Sequence, residues 1–277
     1  MISLLRQTLR EKGGALGLTL VVLIVAMVIV GMLFAGNPNQ IHIPERFLGP
    51  SLAHPLGTDN LGRDLFARIA WGTRTALIIS LLVVGISLLG GLLIGITAAR
   101  AGGIVDRAII VILDIISSFP IYILVFALVA LYGAGIDRLI AVIAVYFMPQ
   151  FSRMARTQAQ ALIHRPFIEA ERLMGVAGWK IMLRHFVPNV IGPMVVLAGM
   201  NLPVAITVEA AISFLGLGVQ PPQASLGSLI PDGYVYLSQS WWPTIGSAAV
   251  LAIVTLGCTL LAEATRDAFD PKLRGRL

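Results

Sequence analysis

Charge is what this sequence holds least of. Asp, Glu, Lys and Arg make up 12% of its 277 residues, half the share of a typical soluble domain, about 25%. So little polar surface cannot coat a water-soluble particle of this size, and the mean hydropathy of +0.88 agrees. The bilayer is the natural solvent. There is one cysteine, Cys258, which excludes an intrachain disulfide and leaves the redox compartment unread. Set in an apolar run, it reads as a small buried hydrophobe. Histidine is scarce too: His42, His54, His164 and His185 are scattered and have no metal-ligand spacing. No G-x-x-x-x-G-K-S/T loop occurs, which excludes a phosphate cradle of that kind. No Ser–His–Asp or Cys–His spacing suggests a nucleophilic enzyme, and no internal repeat or low-complexity tract is visible.

What is present are long uncharged runs. Arg6, Arg10 and Lys12 precede an apolar run from Gly14 to Ala35. That resembles a signal peptide but is about twice the usual apolar length, and long enough to cross a bilayer, so it reads as a retained first helix. Further spans are expected at Thr75–Ala99, Ala108–Leu131, Leu139–Ser152, Val187–Val208 and Trp242–Ala262. All are expected to be helices, because an isolated strand leaves backbone groups unpaired in lipid. Continuous rather than alternating apolar runs exclude a porin-like barrel. The run Ala210–Pro231 is uncharged but rich in Gly and Pro. It is expected to be a loop or re-entrant element.

Basic residues give an orientation. With six spans and both termini inside, the cytoplasmic side holds 15 of the 20 Lys and Arg; the outside holds Arg46, Arg63, Arg68, Arg74 and Arg138. The same split explains the basic pI without nucleic acid as a partner. The expected organisation is an all-α membrane protein of two parts. Residues 1–74 form a first helix and outer loop; residues 75–277 form a core of five spans with a cytoplasmic connection at 153–186.

That connection carries the most information. Pro166 suits a first helical turn, Glu169 and Glu171 lie near its positive end, and Gly175 suits a stop. A short helix outside the bilayer results, with Phe167, Ile168, Ala170 and Leu173 supplying apolar surface. An amphipathic stretch, Trp179–Phe186, then leads to Pro188, a start for span five. Two acids fall within spans. Asp114 is expected to pair with Arg107 or an arginine of the cytoplasmic connection. Glu209 either lines a pathway or anchors the Gly/Pro run. Pro120 and Pro203 are expected to kink their helices.

The segment Glu169-Ala170-Glu171, then Gly175, then His185-Phe186-Val187-Pro188 resembles the loop signature of bacterial ABC import permeases: Glu-Ala-Ala, three residues, Gly, nine residues, Ile-x-Leu-Pro. Glu171 stands for the second Ala, and His185 and Val187 stand for Ile and Leu; the spacing is intact. Further stretches occur in order: Leu56-Gly57-Thr58-Asp59-Asn60-Leu61-Gly62-Arg63-Asp64, Phe119-Pro120, Glu209 through Pro222, and Arg266-Asp267-Ala268-Phe269-Asp270-Pro271. Together they are similar to the C-type permease subunit of dipeptide, oligopeptide and nickel importers.

The resemblance implies a type I importer permease forming half of a translocation pathway for di- or oligopeptides, in a bacterial inner membrane. It implies a homologous second permease, two ATP-binding subunits and an extracytoplasmic solute-binding protein as partners. No cofactor is expected in this chain; ATP and Mg would sit on the ATPase subunits. Pro166, Phe167, Glu169, Ala170, Glu171, Leu173 and Gly175 would form the ATPase-coupling helix. Nickel or a metal chelate is an alternative cargo. A secondary transporter is a distant alternative, since midplane ion ligands and an inverted repeat are not visible.

Overall fold

Helices satisfy the backbone along most of the apolar length, as lipid requires. The computed structural model describes residues 12–269. Arg6, Arg10, Asp270, Pro271, Lys272, Arg274 and Arg276, used above for orientation and resemblance, lie outside the described residues. In chain order the helices are α1 (Lys12–Phe34), α2 (Leu65–Ala101), α3 (Gly103–Ser118), α4 (Ile121–Tyr132), α5 (Ile136–Ile163), α6 (Pro166–Leu173), α7 (Gly178–Phe214), α8 (Leu226–Tyr234) and α9 (Trp242–Phe269). Four of them, α1, α2, α7 and α9, are long and apolar enough to cross a membrane. The α3–α4 pair makes a fifth crossing if counted as one bent span.

Several expected boundaries move, each for a local reason. Span two begins ten residues early. Asp64 caps α2 by accepting from Ala67 N–H at 2.7 Å, so the amphipathic stretch after Leu61 is helix and residue 74 lies inside it. Span three is not one helix: α3 and α4 meet at 87°. Pro120 forces Phe119 out of the helical region, to φ −86°, ψ 133°, because the proline ring crowds the preceding residue. The connection expected from Arg153 opens as helix: α5 runs to Ile163. Arg153 and Arg156 can stay helical because α3 answers their charge. Arg156 donates two bonds of 2.6 Å to Asp106, and Arg153 donates one of 2.7 Å to Asp114.

The amphipathic stretch Trp179–Phe186 is not a separate element but the foot of α7. Over Met182–Phe186 the helix widens, with Val187 N–H bonding to Met182 C=O. Pro188 follows, lacking an N–H and crowding the turn before it; the wider turn gives it room. In the Gly/Pro run, Ala210–Phe214 completes α7 and Leu226–Tyr234 forms α8, started by a capping box between Ser225 and Ser228.

The main core lies among α2, α5 and α7, around Ile79, Ile96, Ile143, Phe151, Val190 and Met194. In lipid, close packing rather than water exclusion holds helices together, so small residues at contacts matter. Gly91 and Gly95 put one face of α2 directly on the α5 backbone. A Cβ at Gly95 would collide with the Ser152 carbonyl and lie 2.8 Å from Arg156 N. On α1, a Cβ at Gly17 would lie 2.6 Å from Leu261 N of α9, so these helices also touch backbone to backbone.

Candidate functional site

The segment after α5 builds a rigid projection. Pro166 takes the first position of α6, with Arg165 extended before it. At the other end Gly175 adopts φ +75°, Gly175 N–H bonds to Arg172 C=O and Val176 N–H to Glu171 C=O, each at 3.0 Å. This is a Schellman stop, which a left-handed glycine completes. A Cβ at Gly175 would meet nothing within 4 Å, so glycine is needed for its backbone conformation alone. The cost of a substitute should therefore follow φ tolerance rather than size. Gly175→Asn is expected to cost less than Gly175→Val, which should lose about 1–3 kcal/mol locally; amide-exchange protection of residues 166–176 measures the difference.

Ile168 is fully buried and fixes α6 to the body. Of the sequence-predicted residues, Pro166, Phe167, Glu169, Ala170, Leu173 and Gly175 are exposed. Leu173 is 90% exposed, Met174 72% and Trp179 57%, forming an uncovered apolar surface on α6 and the foot of α7. Glu171 differs: it turns inward and accepts from His185 Nε2 at 2.9 Å. The Phe167 ring lies 5.4 Å from the His185 ring. Ile168 and His185 are the residues that sequence reasoning left out of the site. The hydrophobic pattern of α6 already contained Ile168; the 14-residue separation hid the Glu171–His185 pair.

Asp114 sits exposed on α3 and pairs with Arg153. Glu209 lies near the far end of α7 and is fully buried. Its Oε1 accepts from Ser213 and Ser225 hydroxyls at 2.8 Å each. It thus joins α7 to the residue that caps α8. The Thr58–Asp64 stretch forms a clamp before α2. Asp59 accepts from Leu61 and Arg63 N–H and from Arg63 Nε, while His54 Nδ1 meets Asp64 at 2.7 Å. Buried Arg68 donates to the Pro38 carbonyl and Asn39. On α8, burial pushes the Asp232 carboxyl up, opposed by the charges of Arg68 and Arg63.

The helical body resembles two solved ABC transporter structures in fold. The MetNI methionine transporter, solved in inward-facing conformations, superposes with a TM-score of 0.56 at 20% identity, covering 73% of this chain and 97% of that chain. An amino acid ABC transporter solved with histidines gives 0.54 at 19%, covering 71% and 91%. The family profile described as binding-protein-dependent transport system inner membrane component matches residues 91–275, and the chain belongs to that family. Relatives agree over nearly the whole length. The probable D,D-dipeptide transport system permease protein DdpC of Escherichia coli K12 is 33% identical over 270 residues, 96% of this chain and 90% of its own. The dipeptide transport system permease protein DppC of Bacillus subtilis is 30% identical over 273 residues, covering 97% and 85%. The glutathione transport system permease protein GsiD of Pectobacterium atrosepticum is 35% identical over 226 residues, covering 82% and 75%. The chain is an ABC importer permease subunit of the inner membrane.

Proposed function

We propose that this chain forms half of the translocation pathway of an importer for short peptides, driven by ATPase subunits that dock on α6. The observation that carries the reading is α6 itself. It is a helix stopped at both ends by local signals, fixed from below by Ile168, and presenting Leu173 and its neighbours uncovered. An exposed apolar patch of this kind marks a partner surface. ATP and Mg belong to the ATPase subunits, in keeping with the missing phosphate loop. A homologous permease completes the pathway, and a solute-binding protein delivers cargo on the far side. In this topology α5 supplies a sixth crossing, its two arginines neutralised by α3, and both termini lie in the cytoplasm with α6. The relatives carry dipeptides and glutathione by name, which supports a short peptide as cargo over nickel.

The test is uptake of labelled dipeptide by the complex reconstituted in liposomes with its partner permease, ATPases and binding protein. Uptake is expected only with ATP and Mg inside the equivalent cytoplasmic compartment. Uptake that persists without ATP and collapses with a proton gradient would overturn the reading.

A further inference from the structure

Two polar residues at the foot of α7 and on α6 find each other across 14 positions of sequence. Glu171 Oε1 accepts from His185 Nε2 at 2.9 Å, and both side chains are largely shielded, at 18% and 22% exposure. The second carboxylate oxygen of Glu171 is sealed from solvent and has no donor among the described residues. His185 is thus the group that answers the charge. The histidine also lies within the widened turn Met182–Phe186, where helices bend or yield most readily. Phe167, from the first turn of α6, covers the imidazole.

We propose that Glu171 and His185 act as a positioning link that passes movement of α6 into α7. The proposal rests on the docking reading above. Ile168 holds α6 by an apolar contact, which has no directional preference. The Glu171–His185 bond has direction as well as distance, because a carboxylate accepts along the line of the N–H. It therefore fixes the azimuth of α6 against the yielding turn.

The experiment measures peptide transported per ATP hydrolysed by the full reconstituted complex. His185→Ile should lower the ratio by about tenfold, since it strands a sealed carboxylate. Glu171→Ala should lower it less, leaving an imidazole that can meet water. The double variant Glu171→Ala/His185→Ile should be no worse than the poorer single variant, because either change already removes the one bond, and Glu171→Gln, whose amide oxygen still accepts from Nε2, should stay near parent. A ratio unchanged in both single variants, or a double variant as poor as the product of the singles, would overturn the link. Crosslinking from Leu173→Cys to an ATPase subunit separates the two levels. If the crosslink forms while the ratios do not move, the link fails and docking stands; if it never forms in the parent complex, docking itself fails. The Glu171→Gln arm guards against misfolding: a ratio as low as that of Glu171→Ala overturns the proposal.

Discussion

Gly95→Ala should lower the melting temperature of the purified permease, while Gly85→Ala should leave it unchanged or raise it. The two changes are chemically identical and sit on the same helix. A Cβ at Gly85 meets nothing within 4 Å, so the substitution brings only the gain in helix propensity, up to about 1 kcal/mol. At Gly95 the new atom strikes the Ser152 carbonyl, and it also lies 2.7 Å from Ala155 Cβ and 2.8 Å from Arg156 N. Two of those obstacles are backbone, which cannot rotate aside. The helices must part, opening the core around Phe151. Overpacking typically costs about 1–3 kcal/mol, and a rigid obstacle places Gly95→Ala at the upper end of that range. Thermal unfolding in nanodiscs checks it. Equal shifts at the two sites would contradict the described α2–α5 contact.

The second large effect is expected at Arg156. Its guanidinium makes two 2.6 Å bonds to Asp106, which is buried at the start of α3. Arg156→Met removes both donors and leaves the carboxylate shielded without them, costing roughly 1.5–3 kcal/mol. Arg153→Met also breaks an ion pair to α3, but Arg153 and Asp114 are half exposed. Exposed pairs contribute about 0–1 kcal/mol, so that variant should unfold close to the parent. Replacing both partners, Asp106→Asn with Arg156→Gln, should recover most of the stability lost in Arg156→Met. Unfolding midpoints of the three variants and the parent decide this. Equal losses at Arg153 and Arg156 would mean that burial does not separate the pairs.

These pairs also show where the sequence stops being legible. Membrane residence followed from scarce charge; α1 follows closely the uncharged run that predicted it, while α9 starts with its run at Trp242 and continues through charged residues to Phe269. The stops of α6 were readable because Pro166 and Gly175 act on their own turns. The Pro120 break was visible as a kink, though not its 87° bend, which packing decides. α5 was under-read because hydropathy charges Arg153 and Arg156 at full cost. Their acids come from α3, up to 50 residues away, and no local window contains both halves. The foot of α7 was cut off for a similar reason. Pro188 looks like a start, and the widened turn that lets helix run through it leaves no simple local mark. At the site, exposed residues of α6 were named from pattern, but the inward pairing of Glu171 with His185 depends on how two helices cross.

The continuity of α7 has a mechanical consequence. At 1.5 Å per residue, its 37 residues make a rod of about 55 Å. Glu171 of α6 bonds to it at His185 near one end, and its own Glu209 bonds the Ser225 that caps α8 near the other. From the widened turn to Phe214 the arm is about 42 Å, so a turn of about 5° there carries the far end roughly 4 Å. Displacement at the far end therefore scales with lever length, and the widened turn at Met182–Phe186 sits near the short end of that lever.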